Sequence, residues 1–281
     1  MNLSQLELSP ETLLKVFSVN IAFLTIRYII IAGLAYYIFW KLLKDRFQSF
    51  RIQEKFPDKE KVITEIKYSL STFVIFAAVG VGVFTMRKAG YTKIYSNISD
   101  YGWAYAVFSF VLLVLVHDTY FYWAHRLMHH KLLFKRVHHV HHYSTNPSPW
   151  ASFSFHPYEA VLETAFIPAF VIAVPTHPGV MLVFLIAMTV MNVLGHLGYE
   201  FWAKGFTRNP WTGWNNTSTH HNMHHQKFNC NYSLYFNWWD KICGTNHEEY
   251  HNEYDRVTGK RTGTFENQNL AEKPSVKISH A

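Results

Sequence analysis

The sequence predicts an all-α fold, a polytopic transmembrane helical bundle carrying a histidine-rich helical cap, and three observations predict it. Asp, Glu, Lys and Arg are all absent from 68–86, from 101–117 and from 164–199. An uncharged apolar run of about 18 residues is long enough to cross a bilayer as a helix. Charged residues make up only 16% of the 281, against about 25% in ordinary domains, which argues against a disordered chain. The 18 histidines gather in short stretches beside the apolar runs.

Taken in order, the first span is expected near 21–40, with Arg27 near its outer end, where an arginine can snorkel towards headgroups. A polar amphipathic loop, 41–67, holds eight of the 26 basic residues, diluted by five acids. The second span is expected at 68–86, and a connector at 87–100 with Gly90 and Asn97 as turn material. The third, 102–122, runs into the histidines without a breaker. Asn146-Pro147-Ser148-Pro149 is a turn. Two apolar arms, 160–174 and 180–193, flank Pro175–Gly179 as a hairpin over 160–197. Each arm of about 15 residues reaches only about 22 Å, so it either recruits flanking residues or forms a re-entrant hairpin. Residues 1–258 are expected to form one membrane-embedded domain, and 259–281 a polar tail.

A net charge of +7 with basic residues spread along the chain lacks the clustered footprint of nucleic-acid binding. The basic loop beside a span marks a cytoplasmic face, of a bacterial inner membrane or an endoplasmic reticulum. Two cysteines, Cys230 and Cys243, make no disulfide framework and read as small buried apolar residues.

The chemistry lies in the histidine spacing. His125 and His129 stand four apart, and H-x-x-H-H occurs twice, at His138, His141, His142 and at His221, His224, His225. On a helix, residues three and four apart share a face, so each group presents its imidazoles together. Seven histidines fall within 125–142 and four within 220–225. Clustered imidazoles repel if protonated and cost desolvation if buried, unless a metal shares their lone pairs. With His196 as a further candidate, these nine exceed the needs of one ion, so two ions with four or five ligands each fit the count. No histidine is followed five residues on by Asp. His177-Pro178-Gly179-Val180, faintly like a haem-ligand motif, is a turn at the hairpin tip. A non-redox zinc or iron carrier or sensor, and a multihaem b-type cytochrome, are the competing classes.

In order, HRLMH, HHVHH, HPYE, GHLGYE and HHNMHH with NYSLYFNWWDKICGT resemble the fatty acid hydroxylase/sterol desaturase superfamily, over about 116–245. The resemblance implies a polytopic helical oxygenase holding two irons on the cytoplasmic side. It implies metal ligands at His125, His129, His138, His141, His142, His221, His224 and His225, with His196 at a later ligand position. Some members carry a second histidine four residues after that one. Glu200 stands there in this chain, leaving Glu200, His156, His130 and His220 as candidates for a tenth ligand. Asp118, two helical turns before His125, either orients an imidazole or simply ends a helix. Trp239-Asp240 and Gly244-Thr245 match the family's closing motif and are expected to shape the fold.

The activity so implied is O2-dependent hydroxylation or desaturation of a C–H bond in a sterol, isoprenoid or fatty acyl lipid. Imidazole-bound iron supplies the oxidant, and zinc can replace it in preparations. No flavin or nicotinamide fingerprint is found, so electrons are expected from a separate protein of cytochrome b5 or ferredoxin type.

Overall fold

A computed structural model describes residues 8–262, and its described residues are helical with three isolated β-bridges and no strand. Helix α1, Pro10–Ala35, starts where the Ser9 side chain accepts from Thr12 N at 3.2 Å and Pro10 sets the first turn. It continues without a break as a π-helical stretch, Tyr36–Leu42. Helix α2, Lys59–Lys88, begins after Asp58, and α3 spans Gly102–Met128. The short α4, Phe134–Val137, leads to a segment that crosses the bundle at 147–155. The hairpin follows as α5, Pro157–Ala173, and α6, Pro178–Gly195. Helices α7, Ser218–Lys227, α8, Trp238–Ile242, and α9, Tyr250–Gly259, build the cap.

Four helices are long and apolar enough to cross a membrane, namely Pro10–Leu42, Lys59–Lys88, Gly102–Met128 and Pro178–Gly195. Their outward faces carry exposed Leu14, Val19, Trp103 and Val107, as lipid-facing surfaces do. The chain is an integral membrane protein on this ground. The first helices begin well before the expected 21 and 68, because polar capping residues and amphipathic turns extend a helix beyond its apolar part. Helix α3 likewise outruns 122 and carries His125 into the cap.

The hairpin arms have 17 and 18 residues, about 25 and 27 Å of helix. Their tip reaches the connector between α2 and α3: Lys93 N donates to Val171 O at 2.8 Å, and Tyr105 Oη donates to Pro175 O at 3.0 Å. His177 caps α6 there, its Nδ1 accepting from Gly179 N at 3.0 Å. The hairpin therefore runs as deep as α2 and α3, at the end of the bundle away from the cap.

Segment 147–155 is more than a turn. Trp150 O accepts from Tyr28 Oη at 2.7 Å and from Ser69 Oγ at 3.0 Å, and Ser152 O accepts from Asn192 Nδ2 at 2.6 Å. The buried carboxylate of Glu65 takes the Ser148 hydroxyl and, at 3.3 Å, its N–H. These bonds let an irregular backbone lie inside a bundle that water does not reach. Phe153 and Phe155 then pack with Leu24, Tyr28, Phe73 and Val193 as one core cluster.

Helix α9 runs to Gly259, and Arg261 donates to the carbonyls of Glu200 and Trp202. The remainder of the expected tail, 263–281, lies outside the described residues. Because the connector and the cap occupy opposite ends of the bundle, cysteines introduced at Ser96 and Ser49, with Cys230 and Cys243 replaced, should label from opposite sides of sealed vesicles. Labelling of both by one impermeant reagent would contradict this arrangement.

Candidate metal centre

The histidines converge where α3 and α6 end and α7 lies across them. His125 is in the last turn of α3 and His129 is its C-cap, while His196 is the C-cap of α6. His138 follows α4, His141 and His142 share a tight turn, and α7 contributes His221, His224 and His225. Thr217 starts α7 by accepting from His220 N at 3.1 Å. Every residue of that helix from Thr219 to His225 is buried.

Two groups result, each with its ligand atoms within 4.8 Å of one another: His125, His129, His138, His142 and His224, and then His141, His196, His221 and His225. Each H-x-x-H-H box serves both. The outer pair, four apart, goes to one group and the middle histidine to the other, and the sense reverses between the boxes. His142 Nε2 stands 3.2 Å from His129 Nε2 and 3.0 Å from His224 Nε2. His221 Nε2 stands 3.0 Å from His196 Nε2 and 3.2 Å from His225 Nε2. Two nitrogens bound to one ion at about 2.1 Å and at right angles lie about 3.0 Å apart, so these spacings suit a shared cation.

The outer ring nitrogens make the case stronger. His125 Nδ1 faces Tyr232 O at 2.7 Å, His138 Nδ1 faces Glu159 Oε1 at 2.7 Å, and His224 Nδ1 faces Cys230 O at 2.7 Å. His196 Nδ1 faces Asn192 O at 2.7 Å and His225 Nδ1 faces Ser144 O at 2.9 Å. Oxygen acceptors at these distances assign the ring proton to Nδ1 and leave Nε2 with its lone pair. Yet His125 Nε2 and His138 Nε2 are 3.0 Å apart, and His196 Nε2 and His225 Nε2 are 3.2 Å apart. In each group, then, two lone pairs face one another with no proton between them. A cation relieves that repulsion, and the donor set fits an imidazole-binding metal.

Burial, with the neighbouring imidazoles as the smaller cause, pushes His142 down to about 3. Burial also lowers His196 to about 4 and holds His138, His141, His221, His224 and His225 well below the ordinary range. These rings are neutral at pH near 7, the form that ligates.

The other expected site residues lie outside both groups. His130 is exposed, its Nδ1 accepting from Leu132 N at 3.4 Å. His156 caps α5 through Tyr158 N at 3.3 Å. His220 is buried against Asn246 Oδ1 at 3.1 Å and Asp240 Oδ2 at 3.5 Å. Glu200 accepts from Thr219 N at 3.0 Å and Thr219 Oγ1 at 2.9 Å, bracing the first turn of α7. Asp118 touches no imidazole; it accepts from Tyr235 N at 2.8 Å and Phe236 N at 3.4 Å.

Asp118 and Asp240 brace one strap. Asp240 accepts from Tyr232 N and Ser233 N, both at 2.9 Å, and from Thr245 Oγ1 at 2.7 Å. The strap between Cys230 and Tyr232 supplies the carbonyls that hold His224 and His125. Sequence reasoning missed this service, and it missed Glu159, although HPYE had been noticed. Glu159 and Asp240 both belong to matched motifs, HPYE and the closing Trp239-Asp240 pair, which is the signal that could have marked them.

An apolar cavity of about 260 Å3 lies among α1, α2, α3, α5 and α6. Its lining includes Phe121, one turn before His125, and Asn192, one turn before His196. Phe155, also in the lining, meets the His141 ring at 5.3 Å. A smaller space of about 50 Å3 shares Asn192 and Leu234 with it and reaches His221. The rings of Phe121 and Phe155, which meet His125 and His141, thus form the wall between the large cavity and the two groups.

Two predictions follow from this geometry. Asp240→Ala leaves three donors without an acceptor and should cost about 3 kcal/mol or more of stability in chemical denaturation. An unchanged midpoint would contradict the bracing role. Histidines of the unfolded chain titrate near 6.5, whereas the buried ones titrate lower, so the unfolded state binds more protons as the pH falls. The metal-free protein should lose stability as the pH drops from about 6.5 towards about 4. Equal urea midpoints across that window would contradict neutral buried rings.

A family model described as fatty acid hydroxylase matches residues 110–245. A Delta(7)-sterol 5(6)-desaturase of Schizosaccharomyces pombe is 31% identical over 231 residues, 80% of this chain and 72% of the relative. Lathosterol oxidase of Rattus norvegicus is 32% identical over 189 residues, 66% of this chain and 62% of that protein. A Delta(7)-sterol 5(6)-desaturase of Gibberella zeae is 29% identical over 222 residues, 78% of this chain and 64% of that protein. The matches to the rat and Gibberella proteins thus span under two thirds of their length. No solved structure matches. Likeness to the yeast enzyme extends over most of both chains and includes the segments that gather the histidines, and on that basis the chain belongs to the fatty acid hydroxylase/sterol desaturase superfamily.

Proposed function

We propose that the chain is an O2-dependent di-iron lipid oxygenase, hydroxylating or desaturating a C–H bond of a sterol, isoprenoid or fatty acyl lipid. One observation carries the reading: two adjoining groups of buried neutral histidines lie behind the Phe121 and Phe155 wall of an apolar cavity within membrane-spanning helices. The names of the relatives favour a sterol and desaturation. The cavity speaks against a zinc or iron carrier, which has no use for an apolar chamber beside its ligands.

In this reading His125, His129, His138, His142 and His224 hold one iron, and His141, His196, His221 and His225 hold the other. The pair of irons supplies O2 activation strong enough for an unactivated C–H bond. Hydroxylation consumes O2, two electrons and two protons and releases one water. Desaturation takes the same inputs, removes two hydrogens from adjacent carbons and releases two waters. A separate donor protein, of cytochrome b5 or ferredoxin type, delivers the electrons.

The chain's own residues bind, orient and exclude. Glu159 accepts the Nδ1 proton of His138 and raises that ring's basicity, and the carbonyls of Asn192, Ser144, Cys230 and Tyr232 fix four more rings. Phe121 and Phe155 line the approach and keep water from it. The cap shares its end of the bundle with the basic 41–67 loop, which favours a cytoplasmic active site. Residues 1–258 act as one unit in this proposal.

His141→Ala and His224→Ala remove one ligand from different groups. Each should lose metal, read by elemental analysis of anaerobically purified protein, and abolish lipid turnover while membrane insertion persists. Iron at about two per chain and an O2-dependent mass change of one oxygen gained or two hydrogens lost are the expected results. Full activity in either variant, or a lipid profile unchanged by deletion, would overturn the reading.

A further inference from the structure

The cavity is apolar except at Asn20, Arg27, His117, Glu163, Thr164 and Asn192, and two of these are ionisable groups without a hydrogen-bond partner among the described residues. Arg27, on α1, is only 6% exposed, yet its Nε and Nη1 have no hydrogen-bond partner. It pairs with no carboxylate among the described residues, and its guanidinium lies 5.1 Å from the centre of the Phe23 ring. Glu163, on α5, lines the same cavity and makes no hydrogen bond among the described residues. A guanidinium keeps its charge in a protein, and burying it unpaired is costly. The cost is offset if a ligand supplies the missing acceptor.

Both groups stand at the end of the cavity that faces the histidines. Tyr28, next to Arg27, packs in one cluster with Phe153, Phe155 and Val193, and Phe155 touches the His141 ring. Glu163 is one turn along α5 from Glu159, which bonds His138. The opposite end, where Asn20 packs against Gly80 near Val83, holds a neutral amide among apolar side chains and no charged group.

We propose that Arg27, with Glu163 on another wall, binds the hydroxyl group of a lipid alcohol close to the histidines, so that the carbon oxidised lies within a few bonds of that hydroxyl. This rests on the lipid-oxygenase reading above and adds the orientation of the substrate. A hydroxyl accepts from the guanidinium and donates to the carboxyl, satisfying both. A fatty acid carboxylate or a phosphate would satisfy Arg27 but would meet a second acid at Glu163. The apolar body of the lipid then points towards Asn20 and Val83, away from the cap. An acyl chain oxidised far from its polar end would need the reverse arrangement, with the polar groups distant from the metal ligands.

The test compares cholestanol with cholestane, which differ by one hydroxyl, binding to the purified full chain in detergent, read by quenching of its tryptophan fluorescence. The wild type should bind cholestanol about tenfold more tightly, as a hydrogen bond to a charged group allows. Arg27→Leu should bind the two equally, Arg27→Lys should keep part of the preference, and Glu163→Gln should weaken it. Equal binding of the two by the wild type, or an undiminished preference in Arg27→Leu, overturns the role of Arg27 and leaves the lipid reading standing. Binding of neither probe overturns that reading of the cavity together with this proposal. If Arg27→Leu does not fold, the wild-type preference and the Lys variant decide the matter.

Discussion

Lone-pair crowding is the constraint on which the rest of the structure depends. Nine imidazoles are withdrawn from water, and at least two pairs turn bare Nε2 atoms towards each other at 3.0 and 3.2 Å. Such a set is held together by what sits behind it. Oxygen acceptors take the outer ring protons, and the five acceptors come from four elements: α5 for His138, α6 for His196, the strap for His125 and His224, and the turn at Ser144 for His225. Long-range contacts of this kind tie the cap to the bundle more firmly than apolar packing alone. They also explain why so much polar backbone is buried here without regular secondary structure.

The membrane part answers the same demand. Segment 147–155 crosses between α1, α2 and α6 with its carbonyls bonded to Tyr28, Ser69 and Asn192. That crossing sets Phe155 against His141 and closes one side of the cavity. Helix α6 serves twice, lining the chamber with Asn192 and using the carbonyl of the same residue to orient His196. Chamber and histidines are thus positioned by one rigid element, as a reaction at a fixed carbon requires.

Much of this was legible in the sequence because helical spacing is a local property. Histidines three and four apart had to share a face, and the uncharged runs had to be buried or lipid-facing. What could not be read was the division of each H-x-x-H-H box between two groups, since residues three and four apart differ by about 100° around a helix. Asp118 and Asp240 were visible as acids, but their partners are backbone amides of a strap whose position depends on the whole cap. Glu200 sits where the resemblance implies a second histidine in some family members, and only the fold shows it bracing Thr219. The helix ends were misjudged for a simpler reason. Hydropathy marks the apolar part of a helix, whereas caps such as Ser9 mark its true start.

The interleaving of the two boxes has a thermodynamic consequence. His138 and His142 belong to one group while His141, between them, belongs to the other, and His224 stands in the same relation to His221 and His225. An ion that settles in either group therefore sets the rotation of both helical turns and, with it, the aim of the second group's rings. On the proposed reading of one iron per group, occupancy of the two groups is mutually reinforcing, because the first ion meets the ordering cost of both turns. On that reading, a half-loaded centre is therefore disfavoured against the empty and fully loaded forms.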